Sequence, residues 1–514
     1  MQSNANLYQF LASGFPADRS KVAIQTPERQ YSYDDIDRLS AQYAHVLQAL
    51  DVPHGSRIAV QVEKSPEALM LYLAALRAGL VYLPLNTAYR DAEVEYFVTD
   101  AEPAVIVCDP SRLDGMQALA ARTGNATVYT LDSQGEGSLT DDARSQATAF
   151  MTVTSQPDDL AAILYTSGTT GRSKGAMLSH ENLSSNAQVL HEYWGWSSDD
   201  VLLHMLPIFH VHGLFVASHA ALYAGARMIW LPRLDIDAAL QALPGSTVMM
   251  GVPTYYVRLL ADPRFTRDVC RNMRLFISGS APLLADTFNE FRERTGHAIL
   301  ERYGMSETIM LTSNPYIEAE GPRLAGTVGR ALPGVRVRIV DDNDTEVPVG
   351  SIGHVQVRGP NVFSGYWRMP EKTREEFTAD GWFRTGDMGC KGGEGVPDDY
   401  VSIVGRNKDL IISGGYNVYP KEVEMLIDEQ PGVFESAVIG VPHPDFGEAV
   451  VAVVVPREGA HVDPDAMRDS LKTQLANFKV PKEIRVIEQL PRNTMGKVQK
   501  NVLRETWSDV SSAT

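Results

Sequence analysis

The residues best equipped for chemistry lie in Tyr165-Thr166-Ser167-Gly168-Thr169-Thr170-Gly171-Arg172-Ser173-Lys174-Gly175, directly after the apolar run Leu160-Ala161-Ala162-Ile163-Leu164. A strand running into a loop of glycines and hydroxyl side chains brings backbone N–H groups close to an anion, and Lys174 adds a point charge. That chemistry suits the phosphates of ATP. The spacing departs from the P-loop pattern G-x-x-x-x-G-K-[ST], because Lys174 is followed by Gly175. By composition alone the stretch would pass for a Ser/Thr/Gly linker. The strand before it and the Lys-Gly ending argue for a phosphate grip.

The elements that must position this loop follow an α/β rhythm. Before about residue 150, strand-like runs such as Arg57 to Val62 and Ala104 to Cys108 alternate with helix-like ones such as Ala68 to Ala78. The polar segment from Gly135 to Pro157 reads as a surface loop. Beyond the loop, Val201 to Leu206, Ala226 to Leu231, Thr247 to Gly251, Arg274 to Ile277 and Ala298 to Leu300 read as strands. Several run straight into polar loops: Pro207 to His210, Gly251 to Thr254, Ser278 to Pro282 and Glu301 to Gly304. In a parallel sheet such loops gather at the carboxyl ends of the strands, where ligands bind. Past Pro333 the period drops to two, as in Val335 to Val340 and His354 to Arg358, which predicts antiparallel structure and a small attached β-barrel. A shorter unit follows, with strands over Ser436 to Val441 and Ala449 to Val455 and a helix over Pro464 to Asn477. The expected fold is therefore α/β: a large N-terminal domain of mainly parallel sheets with helices plus the barrel, residues 1–407, and a smaller mobile α+β C-terminal domain, residues 408–514.

Composition narrows the partners. A chain of 514 residues exceeds one compact core, and a formal net charge of -18 disfavours nucleic acid or an anionic membrane. An anionic substrate must then meet locally focused positive charge. The cysteines Cys108, Cys270 and Cys390 have no metal-like spacing, which fits a reducing cytoplasmic setting. The termini carry no recognisable address signal, and the apolar segment from Ala68 to Leu85 is interrupted by Arg77, Gly79 and Pro84, so no membrane span is expected.

With these stretches in order, the chain resembles the ANL superfamily of adenylate-forming enzymes, in its acyl-CoA synthetase branch. The motifs are Tyr165 to Gly175, Arg302-Tyr303-Gly304-Met305-Ser306-Glu307, Thr385-Gly386-Asp387, Gly405-Arg406-Asn407-Lys408-Asp409 and Pro491 to Lys497. The resemblance implies two steps, with ATP and CoA as co-substrates: a carboxylate attacks the α-phosphate of ATP, then the CoA thiolate attacks the acyl-adenylate and expels AMP. It also implies the roles. Thr166, Ser167, Gly168, Thr169, Thr170, Gly171 and Lys174 would hold the β- and γ-phosphates, Glu307 would bind Mg²⁺, and Ser306 would contact ATP. Tyr303 would stack on adenine, Asp387 would bind the ribose hydroxyls, and Arg406 would help position them. Lys497 would bridge the carboxylate and the α-phosphate, Lys408 would be the hinge, and Gly414, Gly415 and Tyr416 would serve the CoA step. Ser306 stands where Thr is commoner, and Cys390 to Tyr400 is a looser turn than usual.

Arg302 makes the acid more specific. Glycine is common at this position in acyl-CoA synthetases, whereas a guanidinium suits a second carboxylate, which it can grip with paired charge-assisted hydrogen bonds. Ser280 and His210 would line the same pocket. The stretches Ser278 to Leu283, Glu301 to Met305, Val81 to Tyr89 and Pro491 to Lys500 look like those of malonyl-CoA synthetases, which implies malonate, with methylmalonate as a second substrate. The competing readings are the same chemistry on oxalate, acetate or an aromatic acid, a module loading a carrier protein, and a nucleotide-binding regulator without catalysis. No carrier segment with a phosphopantetheine serine follows the C-terminal unit, and Lys174, Glu307 and Lys497 are all present, so the last two are disfavoured.

Overall fold

The structure is a computed structural model that describes residues 4–166, 173–413, 416–443, 447–475, 477–493 and 496–507. Three sheets organise it. A six-stranded sheet takes the order Thr127–Thr130, Val105–Cys108, Arg57–Gln61, Val81–Pro84, Leu160–Thr166, Lys174–Ser179. It is parallel except for the last pair, in which Leu160–Thr166 returns as Lys174–Ser179 with Thr166 opposite Lys174. The phosphate-loop sequence is thus the connection of a hairpin whose two ends are both described. Helix Pro66–Arg77 covers this sheet; Ser65 caps it by accepting from the Ala68 N–H, Pro66 suits its first turn, and all of its residues are buried.

The second sheet has a parallel centre made of Leu300–Tyr303, Leu275–Ser278, Val248–Gly251, Val201–His204, Arg227–Trp230 and Val22–Gln25. Antiparallel strands continue it. Thr312–Ser313 pairs onto Leu300–Tyr303, and Arg330–Ala331 pairs onto Thr312–Ser313 and hands over to the long hairpin Val396–Arg406 and Phe383–Gly393, then to Gly353–Arg358 and Arg336–Val340. The expected barrel is therefore not closed among the described residues. These strands extend the edge of the parallel sheet, and Arg336–Val340 ends the run as an edge strand. Two further expectations change. The loop Gly135 to Pro157 contains a short helix, Ser138–Ala143, which buries Leu139 and Ala143. The helix begun at Pro464 ends at Lys472.

The third sheet is built wholly from residues after Asp409. Its long pair, Val433–His443 and Gly447–Pro456, buries both faces: Val438, Val450, Ala452 and Val454 enter one core, and Ala437, Ile439, Val451 and Val453 enter another. That explains the nearly unbroken valine run from Val450 to Val455, since a strand covered on both sides has no polar face to show. Among the described residues no helix is long and apolar enough to cross a membrane.

Candidate active site

The strand Leu300–Tyr303 carries the centre of the site. It runs on through residues that the sequence pattern placed in a loop: Ser278 pairs with Glu301, Arg302 with Ser313, and Tyr303 with Thr312. Alternation therefore sends Glu301 and Arg302 to opposite faces. Glu301 accepts from the Leu283 N–H through one oxygen, has no partner on the other among the described residues, and is pushed up by burial to about 8. Arg302 is only 3% exposed. Its guanidinium lies over Gly279, where a single added carbon would come within 2.3 Å of Nη1, so a larger residue there would displace the guanidinium. Its Nε and Nη2 have no hydrogen-bond partner among the described residues, and burial lowers it to about 9. Idle donors on a buried cation are costly unless an anion arrives to meet them.

Around Arg302 stand small and neutral groups. Ser280 adopts a left-handed backbone, with φ of 71°, which is a strained setting for serine. Its Oγ lies 3.3 Å from His212 Nδ1, while His212 Nε2 is buried without a partner among the described residues. The His212 backbone N–H donates to His210 Nδ1 at 3.2 Å. Burial keeps both imidazoles neutral; it lowers His210 to about 3, with Lys497 and Arg302 adding to the effect. Sequence reasoning chose His210 and Ser280 but missed His212. The His-Val-His spacing was visible, but a π-helix begins at His212 and alters the helical phase, so the pattern gave no reason to expect both rings on one side.

The residues expected to hold the nucleotide also converge. The hairpin ladder puts Asp387 opposite Arg406, and their side chains form an ion pair at 3.4 Å. The Tyr303 hydroxyl donates to Asp387 Oδ2 in a very short contact. Asp387 is buried, and that burial raises it despite Arg406. On the phosphate side, Glu307 is buried, and its Oε1 accepts from the Tyr366 hydroxyl at 3.0 Å and from Thr166 Oγ1 at 3.5 Å. Lys174 sits 4.3 Å from the centre of the Tyr366 ring and 3.6 Å from Glu376. Tyr366, which no sequence signal marked, thus links the lysine of the phosphate loop to the carboxylate on the far side of the site. Ser306 occupies the turn between Tyr303 and Glu307.

Lys497 enters from the C-terminal unit on a tight turn. Asn493 N–H donates to the Lys497 carbonyl, and Lys497 N–H donates back to Asn493 Oδ1, both at 2.9 Å. Gly496 takes φ of 74° in this turn and packs toward Thr254 of the N-terminal part. Lys497 is lowered to about 8, first by burial and then by Arg406, with Arg302 acting the same way and Asp387 and Glu307 opposing. Arg406, Asp387, Glu307 and Arg302 thus all act on one lysine. Lys174, Arg302, Arg406 and Lys497 supply the focused positive charge that a chain of net charge -18 needs to hold an anion. Ser167, Gly168, Thr169, Thr170, Gly171, Gly414 and Gly415 lie outside the described residues, as do the side chains of Lys408 and Tyr416. The backbone of Lys408 is in the short turn Asn407–Asp409, where Asp409 pairs with Arg504 at 2.7 Å.

Comparison with known proteins matches residues 12–367 to the AMP-binding enzyme family and residues 422–497 to the AMP-binding enzyme C-terminal domain. The chain belongs to the AMP-binding enzyme family. It is 36% identical over 491 residues to the indoleacetate–CoA ligase of Aromatoleum aromaticum, covering 94% of this chain and 95% of that one. It is 37% identical over 473 residues to the mitochondrial malonate–CoA ligase of Mus musculus, covering 84% and 78%. The crystal structure of ATP-bound MatB from Rhodopseudomonas palustris superimposes with a TM-score of 0.95 at 56% identity, covering 99% of both chains. This AMP-binding enzyme is accordingly similar to ligases that join carboxylic acids to CoA.

Proposed function

We propose that this AMP-binding enzyme is a malonate–CoA ligase, forming malonyl-CoA, AMP and pyrophosphate from malonate, ATP and CoA. The observation that carries the reading is Arg302, a buried guanidinium packed over Gly279 and close enough to act on His210, with two donor nitrogens that have no partner among the described residues. An acid with a second carboxylate satisfies those donors; acetate or an aromatic acid leaves a buried cation bare. Methylmalonate is expected as a weaker or comparable substrate, because one methyl changes binding by only ~1–3 kcal/mol.

In the first step a carboxylate oxygen of malonate attacks the α-phosphorus, and the bond to the bridging oxygen of pyrophosphate breaks. Charge builds on both partners, and the Lys497 ammonium between them offsets it. Arg302 holds the distal carboxylate so that the proximal one points at the phosphate. Asp387 and Arg406 hold the ribose, Tyr303 faces adenine, and Lys174 with Thr166 and the loop to Gly171 holds the phosphates. Glu307, with the hydroxyls of Thr166 and Tyr366 nearby, offers the hard oxygen donors that Mg²⁺ prefers, and a bound Mg²⁺ would neutralise phosphate charge there. In the second step the CoA thiolate attacks the acyl carbon and AMP leaves. We assign Lys408 as the hinge between residues 1–407 and 408–514, about which the C-terminal unit turns to present Gly414, Gly415 and Tyr416. The free cysteines Cys108, Cys270 and Cys390 fit a reducing compartment such as the cytosol.

The test is pyrophosphate release with malonate, methylmalonate, acetate, oxalate and indoleacetate, each with and without CoA. Malonate should give the highest kcat/KM, with AMP formed only in step with thioester when CoA is present. Preferential turnover of acetate or indoleacetate would overturn the assignment.

A further inference from the structure

Lys64 is a buried lysine outside the groups named so far. It sits in the bend between Arg57–Gln61 and Pro66–Arg77, in the first sheet's half of the molecule, yet its Nζ reaches the second sheet. There it makes contacts to His204 Nδ1 at 2.9 Å, the His204 carbonyl at 2.9 Å and the Leu231 carbonyl at 2.7 Å, and it lies 4.4 Å from the centre of the Trp230 ring. Among the described residues it has no ion-pair partner. Three acceptors around one nitrogen fit an ammonium, which can only donate. Burial works against that charge and lowers Lys64 well below its usual range, but the carbonyls on both sides favour one arrangement: His204 Nε2 faces the Gly213 carbonyl, which can only accept, so the ring proton falls on Nε2 and Nδ1 accepts from Lys64.

That Nε2 faces the Gly213 carbonyl at 3.0 Å and Ser218 Oγ at 3.1 Å, and Ser218 itself donates to the same carbonyl at 2.9 Å. Gly213 and Ser218 belong to the π-helix His212–Ser218, whose first turn is pressed against Pro207: a carbon added to Gly213 would come within 2.1 Å of the Pro207 carbonyl. The anchored turn fixes His212, whose N–H donates to His210 Nδ1. His210 consequently carries its proton on Nε2, as a neutral donor beside Lys497 and Arg302. We propose that Lys64 and His204 are positioning residues for the acid subsite, setting through the Gly213 carbonyl the π-helical turn and the tautomer with which His210 meets the substrate carboxylate. This rests on the assignment of His210 to the acid pocket.

The alternative is a staple that merely ties two strand ends together. Isosteric replacements of His204 separate the two. Gln can keep a donor where Nε2 stood, whereas Asn keeps only the acceptor where Nδ1 stood. In the proposed arrangement His204→Asn raises KM for malonate about tenfold with KM for ATP within about twofold, and His204→Gln stays within about threefold on both. Lys64→Met, which frees the ring to adopt the other tautomer, should match His204→Asn. The wild-type enzyme is measured with malonate in the same series. No malonate turnover by wild type refutes the substrate reading; wild-type turnover with equal effects of Asn and Gln, or equal effects on malonate and ATP, refutes the positioning role. Should Lys64→Met fail to fold, the His204 pair decides alone.

Discussion

Replacing Arg302 with methionine removes the guanidinium while filling most of its length. Two of its donors, Nε and Nη2, are buried and idle, and so are available to a second carboxylate. A hydrogen bond to a charged group contributes ~1.5–3 kcal/mol, so a two-pronged grip is worth about 3–6 kcal/mol. Coulomb attraction between unit charges ~4 Å apart at an effective dielectric constant of ~20 gives about 4 kcal/mol, an overlapping account of the same contact. The expected loss in kcat/KM for malonate is thus about 10²–10⁴-fold. Pyrophosphate release at saturating ATP measures it, and KM for ATP should stay within about twofold, because Arg302 lies on the acid side of Tyr303. The unliganded protein should keep its melting temperature or gain a little, since a buried unpaired cation has been removed, while stabilisation by added malonate disappears. Unchanged malonate kinetics, or an equal loss against ATP, would refute the reasoning.

Lys497→Ala should abolish malonyl-adenylate formation while leaving thioester formation from supplied adenylate within about tenfold, as separate half-reaction assays would report; equal damage to both would reject the division of labour. Because Lys497 is lowered to about 8 and acts as the ammonium, kcat/KM of the first half-reaction should fall as pH rises through about 8, and the second should not share that limb. Glu301 is raised by burial to about 8, so between its unfolded value and pH 8 the folded state holds the extra proton and stability declines as pH rises. Glu301→Gln keeps the acceptor for Leu283 and should flatten that decline, by at most ~4 kcal/mol, in melts run from pH 5 to pH 8. Parallel melting curves for wild type and variant would reject the assignment.

The sequence by itself determined the chemistry on offer. A glycine and hydroxyl loop ending in Lys174, an arginine before Tyr303 and a lysine after Gly496 are chemical facts at any fold, and strand-then-loop rhythm was enough to place most of them at the ends of parallel strands. What the sequence lacked was long-range geometry. Local periodicity stopped the central strand at Leu300, because Glu301 and Arg302 are charged; the strand continues because Ser313 and Thr312 pair with Arg302 and Tyr303 from beyond the turn. Alternation in Arg336–Val340 looked like a barrel strand, but whether such strands close depends on their neighbours, and here they extend an open sheet. Tyr366 and His212 look like core residues until Glu307 and Lys174 meet at one and Ser280 at the other. The tertiary structure alone decided that Arg302 is buried and, among the described residues, unpaired. Neither property can be read from an arginine in a chain, since both depend on what surrounds it, and together they make the acid pocket want an anion.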